Sequence, residues 1–167
     1  YINQRLYDKA QMVINQYPKF PIMQSQLISI YIEKWKESAK EKMLDEAEQK
    51  AKEFSEYLPI QSQLITIYML KGEYDKAEKL AKRFPNYAPI QSQLVTIYIK
   101  KWQDEEAVKI ADNFKWYEPI QEQLLELYMN QNNFKKAKEI ADFMPHSKII
   151  KNKFLSFRNI TGGDKLA

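Results

Sequence analysis

The six-residue phrase Pro59-Ile60-Gln61-Ser62-Gln63-Leu64 returns twice further along the chain. It recurs as Pro89-Ile90-Gln91-Ser92-Gln93-Leu94 and as Pro119-Ile120-Gln121-Glu122-Gln123-Leu124, at a constant spacing of 30 residues. A constant period between about 20 and 50 residues is typical of proteins built from stacked repeats. Repeat arrays present long surfaces to partners, so the pattern favours a binding function.

A second marker keeps the same period. Alanines 30 residues apart are each followed, four residues later, by another alanine: Ala47 and Ala51, Ala77 and Ala81, Ala107 and Ala111, Ala137 and Ala141. The leucine of the first phrase has an earlier counterpart, Leu27, but it lies 20 residues before Ala47, whereas Leu64 lies 13 before Ala77. The first unit therefore carries seven extra residues, and we expect both of its helices to be longer by about one turn.

Each unit is predicted to hold two helices. In the first helix, Ile60, Leu64 and Tyr68 follow the spacing of one helix face. The proline that opens each phrase suits a first helical residue, because its missing N–H has no helical partner there. Gly72 marks the turn, and the second helix is predicted over residues 74–84.

These patterns predict a single helical-repeat domain over residues 1–161. It divides into a half unit (1–20), four units (21–58, 59–88, 89–118 and 119–148) and a closing helix (149–161). The chain starts in the middle of a unit, so we expect it to be a piece of a longer protein. Residues 162–167 are predicted to be a flexible tail whose last three residues, Lys165-Leu166-Ala167, resemble a cloning scar.

The unit resembles the tetratricopeptide repeat, whose motif places Leu, Tyr, a Gly–aromatic turn and Ala at set spacings. Leu64, Tyr68, Gly72, Tyr74 and Ala77 match those spacings. The resemblance covers nearly the whole chain. It implies an all-α, right-handed α-solenoid of antiparallel helix hairpins. The unit departs from the family in being four residues shorter and in replacing the motif's tryptophan and first glycine.

The amino-acid composition limits the kinds of site that the chain can form. The 167 residues include no cysteine, which excludes disulfides and thiol catalysis, and no apolar run is long enough for a transmembrane segment. The single histidine, His146, follows a proline in a predicted loop without a catalytic partner. We therefore expect a protein that is not an enzyme and has no cofactor and no metal. The net charge of +4 is concentrated after Pro145, which makes nucleic acid an unfavoured partner. A cytoplasmic location fits the absence of cysteine.

The first helix of each unit supplies the candidate binding residues. Positions turned about 180° from its apolar face correspond to the concave groove of tetratricopeptide arrays. The candidate partner-binding residues are Gln26, Ser29, Ile32, Gln63, Thr66, Met69, Gln93, Thr96, Ile99, Gln123, Glu126 and Met129.

Two rows stand out within this face. The four glutamines form a predicted amide ladder suited to the backbone of an extended peptide. Ile32, Met69, Ile99 and Met129 form an apolar row that faces away from the core and suits an amphipathic helix. The alternative is that the small residues permit tight curvature, that the apolar row packs between units, and that the glutamines have no use. Glu122 and Glu126 make one end of the face acidic, which favours a basic ligand group there.

The remaining features leave alternatives open. Trp35, Trp102 and Trp116 lie near predicted turns, and we expect core or interface packing for them rather than base stacking. The basic closing helix is predicted to cap the array, with membrane-surface binding as the alternative. We expect a scaffold that binds a protein or peptide partner. The competing functions are a nucleic-acid-binding helical repeat and a structural spacer or dimerisation arm. The oligomeric state is left open.

Overall fold

The computed structural model describes residues 4–161, and in this range every regular element is an α-helix. The prediction of an all-α protein is therefore confirmed. The ten helices of this range are α1 (Gln4–Ile14), α2 (Pro21–Ser38), α3 (Glu41–Lys52), α4 (Leu58–Leu70), α5 (Tyr74–Ala81), α6 (Ala88–Lys100), α7 (Asp104–Asn113), α8 (Glu118–Asn130), α9 (Phe134–Phe143) and α10 (Lys148–Thr161). The predicted tail, residues 162–167, lies outside the described residues.

The helices form two compact units, unit 1 (Tyr1–Arg83) and unit 2 (Phe84–Ala167). In unit 1, α2 pairs with α3 and α4 pairs with α5, while α2 also packs beside α4. In unit 2, α6 pairs with α7 and α8 pairs with α9, while α8 packs between α6 and α10. This packing of consecutive helices fits a helical repeat. The handedness of a solenoid, and the single domain over 1–161, stay predictions.

Both helices of the first sequence repeat, residues 21–58, are longer than their counterparts, as the seven extra residues predicted. Helix α2 has 18 residues, against 13 for each of α4, α6 and α8. Helix α3 has 12 residues, against 8 to 10 for α5, α7 and α9. The proline of each phrase lies in the first two helical positions, as at Pro59 of α4, where no intrahelical N–H bond is lost.

The turns inside three hairpins share one unusual backbone conformation. Gly72, Trp102 and Asn132, which are 30 residues apart, have φ angles of 75°, 59° and 53°. The N–H of the following residue donates to a tyrosine carbonyl five residues back, at 2.8 Å from Glu73 to Tyr68 and 2.9 Å from Gln103 to Tyr98. This is the hydrogen bond of the Schellman motif, which ends a helix on a left-handed residue.

A buried glutamine ties each of the helices α2, α4, α6 and α8 to the segment before it. The side-chain amide of Gln61 donates to the carbonyl of Phe54 at 2.9 Å, seven residues upstream. The same bond links Gln24 to Tyr17, Gln91 to Phe84 and Gln121 to Phe114. Each of these carbonyls also accepts the backbone N–H three residues further on, so the glutamine supplies a second bond to the turn between two helices. The bond also fixes the angle at which each first helix starts.

Candidate functional site

The candidate residues lie on four first helices and differ in exposure. Helix α2 carries Gln26, Ser29 and Ile32, α4 carries Gln63, Thr66 and Met69, α6 carries Gln93, Thr96 and Ile99, and α8 carries Gln123, Glu126 and Met129. Gln26, Ser29 and Glu126 are exposed, Ile32 is buried, and the other eight are half-buried. We call these residues the first-helix face, taken separately in unit 1 and in unit 2.

In unit 1, the first-helix face is crossed by hydrogen bonds from Gln63. Its amide nitrogen donates to the Ser25 carbonyl at 2.9 Å and to the Ser29 hydroxyl at 2.8 Å. The hydroxyl of Ser25 donates in return to the Gln63 amide oxygen at 3.0 Å. One glutamine thus clamps α4 to α2 through three bonds, and its side chain is ordered by the neighbouring helix.

Unit 2 contains a similar clamp two repeats further along the chain, at Gln123. The amide nitrogen of Gln123 lies 3.1 Å from the Ser92 hydroxyl and 3.0 Å from the Thr96 hydroxyl. Ser92 and Thr96 occupy the positions of Ser25 and Ser29, so the contact keeps its register. Two of the four glutamines of the predicted amide ladder, Gln63 and Gln123, therefore bond to the neighbouring first helix, a use that neither the ladder nor its alternative predicted.

The next position in this series exchanges polar groups for charged ones. Lys153 of α10 lies 30 residues after Gln123, while Glu122 and Glu126 replace Ser92 and Thr96. The Lys153 ammonium lies 2.6 Å from a Glu122 carboxylate oxygen and also pairs with Glu126. The hydrogen bonds that the Lys153 ammonium donates to Glu122, first, and to Glu126 raise the pKa of Lys153. The acidic end of the face, which the sequence assigned to a basic ligand, is therefore occupied by a lysine of the same chain.

The apolar row also departs from the expectation at one position. Ile32 is only 7% exposed, although the row was expected to face away from the core. Helix α2 packs against α1, α3 and α4, so more of its surface is covered. Met69, Ile99 and Met129 are half-buried and keep part of their surface in solvent.

Trp102 and Trp116 lie outside the core, although core packing was one of the two roles expected for them. Trp102 is 90% exposed and Trp116 is 69% exposed. Trp116 contacts the rings of Phe114 and Tyr117, with centroids 6.0 and 5.7 Å away. Packing at an interface stays a prediction for both. The histidine His146 is exposed in the loop before α10.

Sequence reasoning missed two sets of residues. The burial of Gln61, Gln91 and Gln121 was not predicted, although their 30-residue period is visible in the sequence. A group of cations on α3, on α5 and in the turn after α5 was also missed, although Lys76, Lys79 and Arg83 have the i, i+3, i+7 spacing of one helix face. In both sets, the role of the side chains depends on how their helices pack against neighbouring helices.

Within residues 4–161, no group of three His, Asp or Glu side chains is placed to hold a metal ion. In the same range, none of the helices combines the length and apolar character that crossing a bilayer requires.

A comparison of the sequence with models of protein families and with curated proteins found no match. The tetratricopeptide resemblance therefore stays a prediction that rests on the spacing of Leu, Tyr, Gly and Ala.

Proposed function

We propose that this protein is a non-enzymatic scaffold for protein–protein interaction, which binds a peptide or helix of a partner on the first-helix face. The observation that carries the proposal is the fixed register of neighbouring first helices. In unit 2, the bonds from Gln123 to Ser92 and Thr96 hold α8 against α6. Ile99 and Met129, which are both half-buried, then occupy equivalent positions of adjacent helices.

This arrangement suits a binding surface better than a catalytic one. A rigid face built on helices holds its side chains in place before the partner arrives, which reduces the entropy lost on binding. Partly exposed Met and Ile supply apolar contact, on a face whose amides and hydroxyls fix the spacing of the helices through the bonds between them. Apolar contact at a fixed spacing is what an amphipathic helix or an extended peptide requires for docking.

The proposal is tested by selecting peptides from a displayed library on the unaltered protein and on an Ile99→Glu, Met129→Glu variant. The control is Lys135→Glu on α9, which changes the net charge by the same two units at an exposed position. We expect one peptide motif to be enriched on the unaltered protein and on the control. On the double variant, its affinity by fluorescence anisotropy should fall at least tenfold.

Two results would count against this function. Equal enrichment by all three proteins would place binding elsewhere on the molecule. Failure of any motif to enrich would favour the structural-spacer alternative. Circular dichroism of each variant must show unchanged helicity, so that a loss of binding is not a loss of fold.

A further inference from the structure

A pocket in unit 1 lies between α3, α4 and α5, on a different side of α4 from the first-helix face. Its volume is about 360 Å³. The floor is formed by Leu64 and Tyr68 of α4 and by Leu80 of α5, which are all buried. The amide of Gln61, already engaged with the Phe54 carbonyl, closes one end. A hollow of this size with an apolar floor is in the range of small-ligand sites.

The rim of this pocket is cationic. Lys52, Lys76, Lys79 and Arg83 line it, and none of its nine lining residues is acidic. The Lys76 ammonium lies 5.7 Å from the centre of the Tyr68 ring. Lys52 and Lys76 also pair with Glu48 and Glu73, which are not among the lining residues. In the described part of the chain, Lys79 has no carboxylate within ion-pair distance. Several cations around an apolar hollow produce a positive potential that attracts anions.

Unit 2 contains the same pocket with a different rim. Sixty residues on, Gln121, Leu124, Tyr128 and Ile140 line a hollow of about 350 Å³ between α7, α8 and α9. There, Asp112 replaces Lys52, Glu139 replaces Lys79 and Phe143 replaces Arg83, whereas Lys115 replaces Ser55 and Lys136 keeps the place of Lys76, so the rim holds two cations and two carboxylates. The fold therefore produces the hollow in both units, and only in unit 1 do the side chains surround it with positive charge alone.

We propose that the unit 1 pocket is a binding site for an amphiphilic anion, meaning a carboxylate, phosphate or sulfonate carried on an apolar body of one or two rings. The apolar body rests on Leu64, Tyr68 and Leu80, and the anionic group meets Lys52, Lys79 and Arg83 at the rim. Burial of the body and pairing of the charge act together, because the low-dielectric floor strengthens the attraction at the rim. This site is independent of the peptide-binding face proposed above.

The first test uses 8-anilinonaphthalene-1-sulfonate as the probe, which carries a sulfonate on an aromatic body. Titration followed by fluorescence gives its affinity. Two-dimensional amide spectra of labelled protein give its location. We expect saturable binding, with shifted amide signals confined to residues 52–55, 61–68 and 76–83. The affinity should decrease as salt is raised, since the rim charges are partly solvated.

The second test changes the rim and leaves the floor intact. Lys79→Glu installs the residue found at the equivalent position of unit 2 and should weaken probe binding by about threefold to tenfold, since it turns one attraction into a repulsion. Lys135→Glu, the charge-matched control, should leave the affinity unchanged. Glu139→Lys should strengthen binding at the unit 2 pocket, where the amide shifts would then be found.

A competition experiment distinguishes the sources of the ligand. A blocked peptide with glutamates on both sides of a phenylalanine displaces the probe if the natural ligand is an acidic segment of a protein. If the natural ligand is a small molecule, the peptide should not displace the probe. Equal affinity of Lys79→Glu and Lys135→Glu, shifts spread over both pockets, or the absence of saturable binding would each overturn the proposal. The Ile99→Glu, Met129→Glu variant should bind the probe normally, which separates this test from that of the first-helix face.

Discussion

At the scale of single residues, the turn positions show how one backbone requirement is met by different side chains. Gly72, Trp102 and Asn132 all adopt a left-handed conformation. Glycine adopts it without steric conflict, and asparagine tolerates it, but a tryptophan side chain meets the neighbouring carbonyl. Burial of the Trp102 side chain does not offset this backbone strain, since 90% of its surface is exposed.

We therefore predict that Trp102→Gly stabilises the protein by about 1 kcal/mol, because it removes a strained conformation and little packing. Urea unfolding followed by circular dichroism measures the change. The reciprocal variant Gly72→Ala should destabilise by about 1 kcal/mol through backbone strain, since no heavy atom lies within 4 Å of the added carbon. A destabilised Trp102→Gly protein would mean that the indole has a contact that offsets the strain.

At the scale of helices, neighbouring first helices are joined by one contact in two chemical forms. Gln63 and Gln123 use amide–hydroxyl bonds, whereas Lys153 uses ion pairs with Glu122 and Glu126. The neutral form is insensitive to salt, and the charged form is screened by it. Helix α10 is also held by apolar contacts, with the Phe154 ring 5.3 Å from that of Phe134.

Lys153→Glu should loosen α10 specifically, because it sets three carboxylates side by side. Hydrogen exchange is expected to become faster for the α10 amides while the α6 amides keep their protection. The triple variant Glu122→Ser, Glu126→Thr, Lys153→Gln restores the neutral form found between α6 and α8. It should recover the protection of α10 and remove its salt dependence. If the α10 amides exchanged as fast in the triple variant as in Lys153→Glu, removing the charge repulsion would not restore the contact. The shapes of the side chains, and not their charges, would then hold α10 in place.

At the scale of the whole molecule, stability depends on pH through carboxylates that are paired in the folded state. Burial by itself would raise the pKa of Glu48, but hydrogen bonds from Lys52 and Lys71 outweigh it and lower the pKa. The Lys71 ammonium lies 2.6 Å from Glu48 and 2.7 Å from Asp45, and hydrogen bonds to Asp45 and then Glu48 raise the pKa of Lys71. These pairs join α3 to the end of α4.

A carboxylate with a lowered folded-state pKa stabilises the protein fully above its unfolded pKa, here 4.5, and loses that contribution as the pH falls through the folded value. We predict that Glu48→Gln lowers the free energy of unfolding at pH 7 and flattens its decrease below pH 4.5. Urea unfolding over a pH series measures both. Glu41→Gln, which removes the same charge from an exposed position of α3, is the matched control. If the two variants showed the same pH profile, the ion pairs of Glu48 would contribute nothing to stability.

The sequence by itself determined the period, the two helices of each unit, the longer first unit and the all-α class. These properties follow from helical spacing, proline and turn residues, which act over a few neighbouring positions. It also determined that Leu64, Tyr68 and Ala77 are buried, because their apolar spacing repeats.

Only the tertiary structure decided which glutamine of the Gln-x-Gln phrase is buried and which bridges two helices. The pairing of Lys153 with Glu122 and Glu126, and the gathering of cations from α3 and α5 around one pocket, were decided in the same way. The physical reason is that these contacts join side chains about 30 residues apart, or residues of three different helices. Their partners are chosen by how the helices pack against one another, which a local pattern does not specify.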